Sequence, residues 1–377
     1  MGIIISVAMI TAVATFFSSF LDLMRRDEIS QNGEWHTLYK EVKKEDILVI
    51  EKHKNTKEMI LSDDIGYSIL EGGMNEYKPY LFIKAYNENG FEKFPIKLLE
   101  GRLPENPQEI LIPKHVEDNG GVTFHIGDII TLQIGDRYHT QTFEGEDPNT
   151  PDTITRILDQ TYSYNEDEVF QPYRTLRYEV VGIIERPTFE YNWSPGYTAV
   201  TYINKDLIED NATVNVSVIV KKISRKLFGE AQSLAKQLGV SYNTNSNLLM
   251  YYGAIANDSS YKGILITMFI LIVIIMIGSI SLIYNAFSIS LSERSRYLGM
   301  LASVGATKKQ KRSSVYFEGI LVGLVSIPIG IFAGTIGMGI TFMFVNPLLK
   351  SVVATNHDLE LVVSGASILI AVVFSSI

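Results

Sequence analysis

The 377-residue chain contains no cysteine, only two tryptophans and only six histidines. Without cysteine, disulfide staples, thiolate metal sites and thiol redox chemistry are excluded. The histidines are scattered and no pair stands at zinc-type spacing, so His115, His125 and His139 read as surface or structural side chains. The GxxxxGK[ST] phosphate loop, the GxSxG elbow and HExxH are also missing, and with them the amide cradle, activated serine and zinc ligands that they supply. No catalytic, cofactor-binding or metal residue is therefore assigned. The chain does not read as an enzyme, and any energy it uses must come from another chain. The most informative lack is of charge: stretches 1–21, 263–292, 319–349 and 361–377 carry none. Each is near or above the roughly 20 residues that cross a bilayer core as a helix, which excludes a purely soluble enzyme.

Charge collects in the middle. Residues 25–262 hold all but five of the 42 acidic side chains and all but seven of the 33 basic ones, a local net of −11 against −9 for the whole chain. An acidic surface repels phosphate backbones, so no nucleic-acid partner is expected. The segment is long enough to bury its own core, and its aromatic and β-branched content argues against disorder.

Short β-type runs separated by turn residues predict a mixed sheet there. Val122, Phe124 and Ile126 alternate with polar neighbours, Gly127 and Asp128 supply a turn, and Ile130, Leu132 and Ile134 alternate again, which predicts a hairpin. Further strands are predicted at 81–86, 109–112, 178–184, 197–203 and 214–220, while 46–53 fits helix or strand. Leu227, Phe228, Ala231, Leu234, Ala235 and Leu238 recur at helical spacing, with Gly239 as the stop. Strands with a covering helix make an α+β domain. Between Gln141 and Gln171 eight acids face one base, Arg156; without calcium-loop spacing this stretch reads as solvated loop.

The connection after the second apolar run carries Arg294, Arg296, Lys308, Lys309, Lys311 and Arg312 against Glu293. By the positive-inside rule it is cytoplasmic, which places 25–262 and 350–360 outside. Arg25 and Arg26 speak the other way but are outnumbered. A signal peptide cleaved near Ala12-Val13-Ala14 is the rival reading of the amino end. Against it stand the missing basic flank and an apolar run that continues through Phe16, Phe17 and Phe20. The carboxyl end stops inside an apolar run, so both ends read as trimmed from a longer chain.

The expected fold is a membrane α-helical bundle of four transmembrane helices, the last truncated, with a large extracytoplasmic α+β domain inserted between helices 1 and 2. Helix 1 takes 1–24, the α+β domain 25–262, helix 2 263–290, a cytoplasmic loop 291–313, helix 3 314–349, an outer link 350–360 and helix 4 361–377. Helix 3 contains Gly319, Gly323, Gly330 and Gly334 at GxxxG spacings around Pro328, which lets helix backbones approach within one chain or between two. No charge lies mid-span, so an ion pathway has no support. In the loop, Leu291, Leu298, Leu301 and Val304 share a helical face, Gly305 suits a stop, and Thr307 with Gln310 forms a capping box that opens the next helix. A basic connector lying on lipid is the plainer reading; a rigid elbow that passes a push into the membrane is the sharper one.

Arg294 onward, with Leu298-Gly299-Met300-Leu301 and the Val304-Gly305-Ala306-Thr307 turn before a basic stretch, resembles the signature loop of FtsX-like permeases, the membrane subunits of MacB-type (type VII) ABC transporters. Gly101-Arg102-Leu103-Pro104 with Glu109-Ile110, and 178–184, resemble that family's outer domain. The resemblance implies mechanotransmission: a separate ABC ATPase subunit dimerises on ATP and pushes the loop, and the helices lever the outer domain without carrying substrate through the bilayer. It points to Glu293, Arg294, Arg296, Gly299, Gly305, Ala306 and Thr307 as the coupling contacts. A bacterial cell-membrane location, no bound cofactor, a second permease copy or half, surrounding lipid and an extracytoplasmic protein partner go with it. The cargo would be a peptide, lipoprotein or drug-like molecule. The alternatives are an FtsX-like regulator that activates a cell-wall hydrolase or senses peptide antibiotics, and, more remotely, a membrane receptor without ATPase.

Overall fold

The computed structural model describes residues 2–143, 152–255, 307–353 and 357–375, with scattered positions between 263 and 303. The described chain divides into two compact units, Met1–Asp27 with Met250–Ile377, and Glu28–Leu249.

The first unit is helical. Helix α1 (Gly2–Asn32) runs past the expected end at 24 because the polar run that follows still suits a helix. It stops where Gly33 adopts φ +87° and donates its N–H to the Ile29 carbonyl. Helix α7 (Lys308–Val353) holds Pro328 and Pro347 within its length, and α8 (Gly365–Ser375) has 11 residues. Among the described residues two helices are long and apolar enough to cross a bilayer, Ile4–Asn32 and Lys308–Lys350. The expected helix 2 falls largely outside the described residues.

The second unit is α+β. Its strands are β1 (Thr37–Lys43), β2 (Thr56–Ile69), β3 (Tyr80–Tyr86), β4 (Leu98–Gly101), β5 (Glu109–Pro113), β6 (Ile129–Phe143), β7 (Asp152–Leu158), β8 (Val169–Ile184), β9 (Gly196–Tyr202), β10 (Thr213–Val220) and β11 (Ser241–Thr244). Its helices are α2 (Lys44–Glu51), α3 (Glu88–Lys93), α4 (His115–Gly120) and α5 (Lys226–Leu238), followed by α6 (Ser246–Tyr251) at its edge. The strand order is β11-β1-β10-β2-β3-β9-β5-β8-β6-β7, with β4 also paired to β8. Pairing is antiparallel except for β3 with β9 and β5 with β8.

One further pair, Tyr67 opposite Gly135, joins β2 to β6 and closes β2, β3, β9, β5, β8 and β6 into a ring. Its interior holds Leu81, Ile83, Ile110, Ile134, Val180 and Ala199. Three of the strands outside the ring, β11, β1 and β10, form with β2 an open layer covered by α2 and α5. There Ile47, Ile50, Leu234 and Ala235 pack on Val214, Val216 and Val218. Gly239, left-handed at φ +69°, ends α5 as its position after the periodic run requires.

Two expectations fail. Residues 122–126 pair with no strand, so the predicted hairpin is absent; Val122 and Phe124 rest their side chains on the ring core, and β6 takes its ladder from β8 instead. The acid-rich stretch is not all solvated loop, because β7 and the start of β8 fall within it and Glu168 is buried.

Candidate functional site

The basic elbow expected to make the coupling contacts is described at its exit. Gly299 is helical, and Thr307 caps α7. The Gln310 side-chain Oε1 accepts the Thr307 N–H at 2.9 Å, and Thr307 Oγ1 accepts the Gln310 N–H at 3.3 Å. This reciprocal box satisfies two of the donors that a helix start leaves open. One turn on, Arg312 donates to the Tyr316 hydroxyl at 3.0 Å. Glu293, Arg294, Arg296, Gly305 and Ala306 lie outside the described residues.

Of the four helix-3 glycines, two are brought against another element and two are not. A Cβ on Gly330 would stand 2.7 Å from Val7 Cγ1, and one on Gly334 would strike the Ala8 carbonyl and lie 3.0 Å from Thr11 Cβ, so α1 crosses α7 here backbone to backbone. Gly319 and Gly323 face open space. Many other side chains of α7 are apolar and exposed, among them Leu324, Phe332, Met343 and Phe344, a surface suited to lipid. On α1, Ser6, Thr11, Thr15 and Ser19 are buried, a polar seam absent from the sequence reading. Ser19 Oγ accepts the Val362 N–H at 2.9 Å, whereas the Thr11 and Thr15 hydroxyls have no partner among the described residues.

The segment before α8 is held from both sides. Asn346 on α7 accepts the Leu359 N–H at 2.8 Å and donates to its carbonyl at 3.2 Å. Arg26 at the end of α1 reaches Glu360 at 3.0 Å and the Asp358 carbonyl at 2.8 Å, while Asp22 holds the same guanidinium at 2.8 Å.

In the α+β unit two buried acids organise the loops. Glu190 is fully enclosed and takes Lys78 at 2.7 Å, His115 at 2.9 Å, Arg186 at 3.1 Å and the Thr198 N–H at 2.7 Å. Burial alone would raise its carboxyl, but the His115 and Lys78 donors outweigh burial and hold it down at about 2. Burial lowers Lys78 against the pull of Glu190. Glu168 forms a two-pronged pair with Arg137 at 2.6 and 2.8 Å, capped by the carbonyls of Asp159 and Ser163. His36 lies in the β1 layer with Nδ1 accepting the Val220 N–H at 3.0 Å, and burial drops its pKa to about 4.

None of these clusters joins a nucleophile to a base at an open cleft; each satisfies charge inside the fold. Among the described residues, no group of three or more His, Asp or Glu side chains could hold a metal ion. The Arg137–Glu168 pair spans 31 residues, and no spacing rule would have revealed it.

Among the described residues the chain thus combines two helices long and apolar enough to cross a bilayer with a separate α+β unit. Residues 269–377, less than half of the chain, match the family model described as FtsX-like permease C-terminal. No curated protein matches. Among solved structures, the extracellular domain of the noncanonic ABC-type transporter YknZ from Gram-positive bacteria aligns at 13% identity and TM-score 0.31, covering 56% of this chain and 99% of that one. The periplasmic region of MacB from Actinobacillus actinomycetemcomitans aligns at 10% identity and TM-score 0.33, covering 61% and 96%. Scores at this level record a likeness and carry no conclusion.

Proposed function

We propose that the chain is the permease subunit of an ABC transporter, in which ATP hydrolysis by a separate ATPase subunit moves an α+β unit outside the cell membrane. The observation that carries this reading is the family match over 269–377, a stretch that contains the whole basic elbow. Glu293, Arg294 and Arg296 supply charge to the ATPase surface, Gly299 allows close approach, and the Gly305-Ala306-Thr307 turn stiffens the junction to α7. The Thr307–Gln310 box supports such stiffness, because a helix start with two of its open donors bonded frays less under load. A second permease copy, or a second half of a longer chain, completes the transporter. The work is mechanical, and the cargo is a peptide, a lipoprotein or a drug-like molecule.

The test is co-purification of the intact chain with a candidate ATPase subunit, followed by ATP turnover with Arg294→Ala and Gly305→Val. Each substitution is expected to lower permease-stimulated turnover by about tenfold, the loss of one charge-assisted contact or of the turn that positions it. Unchanged assembly and turnover in both variants would remove the coupling assignment.

A further inference from the structure

Helices α1 and α7 run side by side in the same direction, with Gly330 and Gly334 against Val7, Ala8 and Thr11 and, further along both, Phe342 against Phe16 and Leu23. At the glycines the backbones touch and no long side chain interlocks to hold one helix against the other. Thr11 and Thr15, one turn apart on the same face of α1, are fully buried, and their hydroxyls have no partner among the described residues. Each is enclosed too tightly for a water to stand beside it. A threonine inside a helix ordinarily meets this need by donating to the carbonyl four residues back. Thr335 and Thr341 on α7 do so, to Ile331 and Gly337, each at 2.8 Å. Thr11 and Thr15 do not.

An unmet hydroxyl in an apolar interior costs free energy that an apolar group of the same shape does not. The crossing therefore sets two terms against each other: close packing at Gly330 and Gly334, and two donors without acceptors. Packed interfaces answer such a conflict with discrete arrangements rather than gradual deformation. Beyond these residues α1 is pinned, because Ser19 Oγ accepts the Val362 N–H and Arg26 holds Glu360, so the half that carries Thr11 and Thr15 is the half free to swing. We propose that α1 takes two positions on α7 and that the Thr11 and Thr15 hydroxyls set the balance between them. In the close position the backbones meet at the glycines and both hydroxyls are unmet. In the other the amino-terminal half of α1 has pivoted off the glycines, and each hydroxyl donates to a carbonyl. The two threonines are positioning residues, and the inference stands without the coupling reading.

The chain has no cysteine, so paired nitroxide labels can be placed on it without background. Ile5→Cys on α1 and Phe344→Cys on α7, both exposed positions, report the separation of the two helices by pulsed electron resonance on the full chain in detergent. The labelled parent is expected to show two separations. Thr11→Val with Thr15→Val, the same shape without the hydroxyls, is expected to shift their ratio about tenfold toward the close position and to raise the melting temperature by a few degrees. Thr11→Ser with Thr15→Ser keeps the donors and should keep both separations, as should Thr335→Val with Thr341→Val, whose hydroxyls are already met. One separation in the parent, two that persist unchanged in the Thr11→Val, Thr15→Val chain, a lower melting temperature in that chain, or loss of one separation in the serine variant each overturns the proposal. ATP turnover with the partner subunit is a separate readout, so failure here leaves the coupling reading untouched.

Discussion

Gly66 on β2 and Gly135 on β6 meet at the seam where the ring closes: a Cβ on Gly66 would stand 3.0 Å from the Gly135 carbonyl oxygen and 2.9 Å from Ile134 Cγ2. Gly66 also adopts φ +130°, at an irregularity between Asp64 and Gly66 in the β2–β3 ladder. The bend and the close approach come from one residue with no side chain. A Cβ on Gly135 would in turn collide with the Gln171 carbonyl and Pro172 on β8.

Gly66→Ala is therefore expected to destabilise the α+β unit by about 3 kcal/mol, from a strained φ and a steric clash together. Both tryptophans, Trp35 and Trp193, lie in that unit, so intrinsic fluorescence during thermal unfolding reads it selectively. A midpoint unchanged from the parent chain would mean that the ring does not depend on this contact.

Acid should unfold the same unit in two stages. His36 has a folded pKa of about 4 against 6.5 unfolded, so its contribution is complete above pH 6.5 and is lost as pH falls to 4, about 3 kcal/mol in all. Glu190 has a folded pKa of about 2 against 4.5, so its contribution holds above pH 4.5 and is lost between 4.5 and 2, again about 3 kcal/mol. In His36→Asn a side-chain oxygen accepts the Val220 N–H at every pH, and the slope between pH 6.5 and 4 should flatten. If Tm keeps its full dependence in that range, another group is responsible.

Within the helical unit the two halves of the glycine series should behave differently. Gly334→Leu drives a side chain into Ala8 and Thr11, whereas Gly323→Leu enters open space. The first is expected to lower the melting temperature of the detergent-solubilised chain by several degrees and the second to leave it within a degree or two, in line with the cost of overpacking. Equal effects would place the α1–α7 crossing elsewhere.

A cysteine-free chain allows topology to be read with one thiol. Lys308→Cys, at the start of α7, is expected to resist a membrane-impermeant maleimide in intact cells and to react after permeabilisation. Labelling from outside in intact cells would invert the orientation and with it the coupling proposal.

Where one physical signal dominates locally, the sequence alone located the elements. The predicted strands 81–86, 109–112 and 214–220 correspond to β3, β5 and β10 because continuous or alternating apolar runs leave little other use for those residues. The end of α5 follows from Gly239. β2 was invisible because Asp63, Asp64 and Gly66, residues typical of turns, stand in the middle of a 14-residue strand, where pairing on both sides overrides local preference. The false hairpin at 122–134 came from the reverse situation: Val122 and Phe124 alternate correctly for a buried face but have side-chain neighbours and no ladder. Of the site, Thr307 and Gln310 were legible because a capping box is a local pattern. The Glu190 and Glu168 clusters bring together residues far apart in the chain.

The two hydrogen bonds between Asn346 and Leu359 and the grip of Arg26 on Asp358 and Glu360 tie residues 358–360 to both α7 and α1. A displacement of α7 at Asn346 therefore pulls on Leu359, whose neighbours Asp358 and Glu360 are held by Arg26 of α1. Three stretches distant in sequence are thereby yoked at one end of the helical unit, so a displacement of any one of them is shared with the other two.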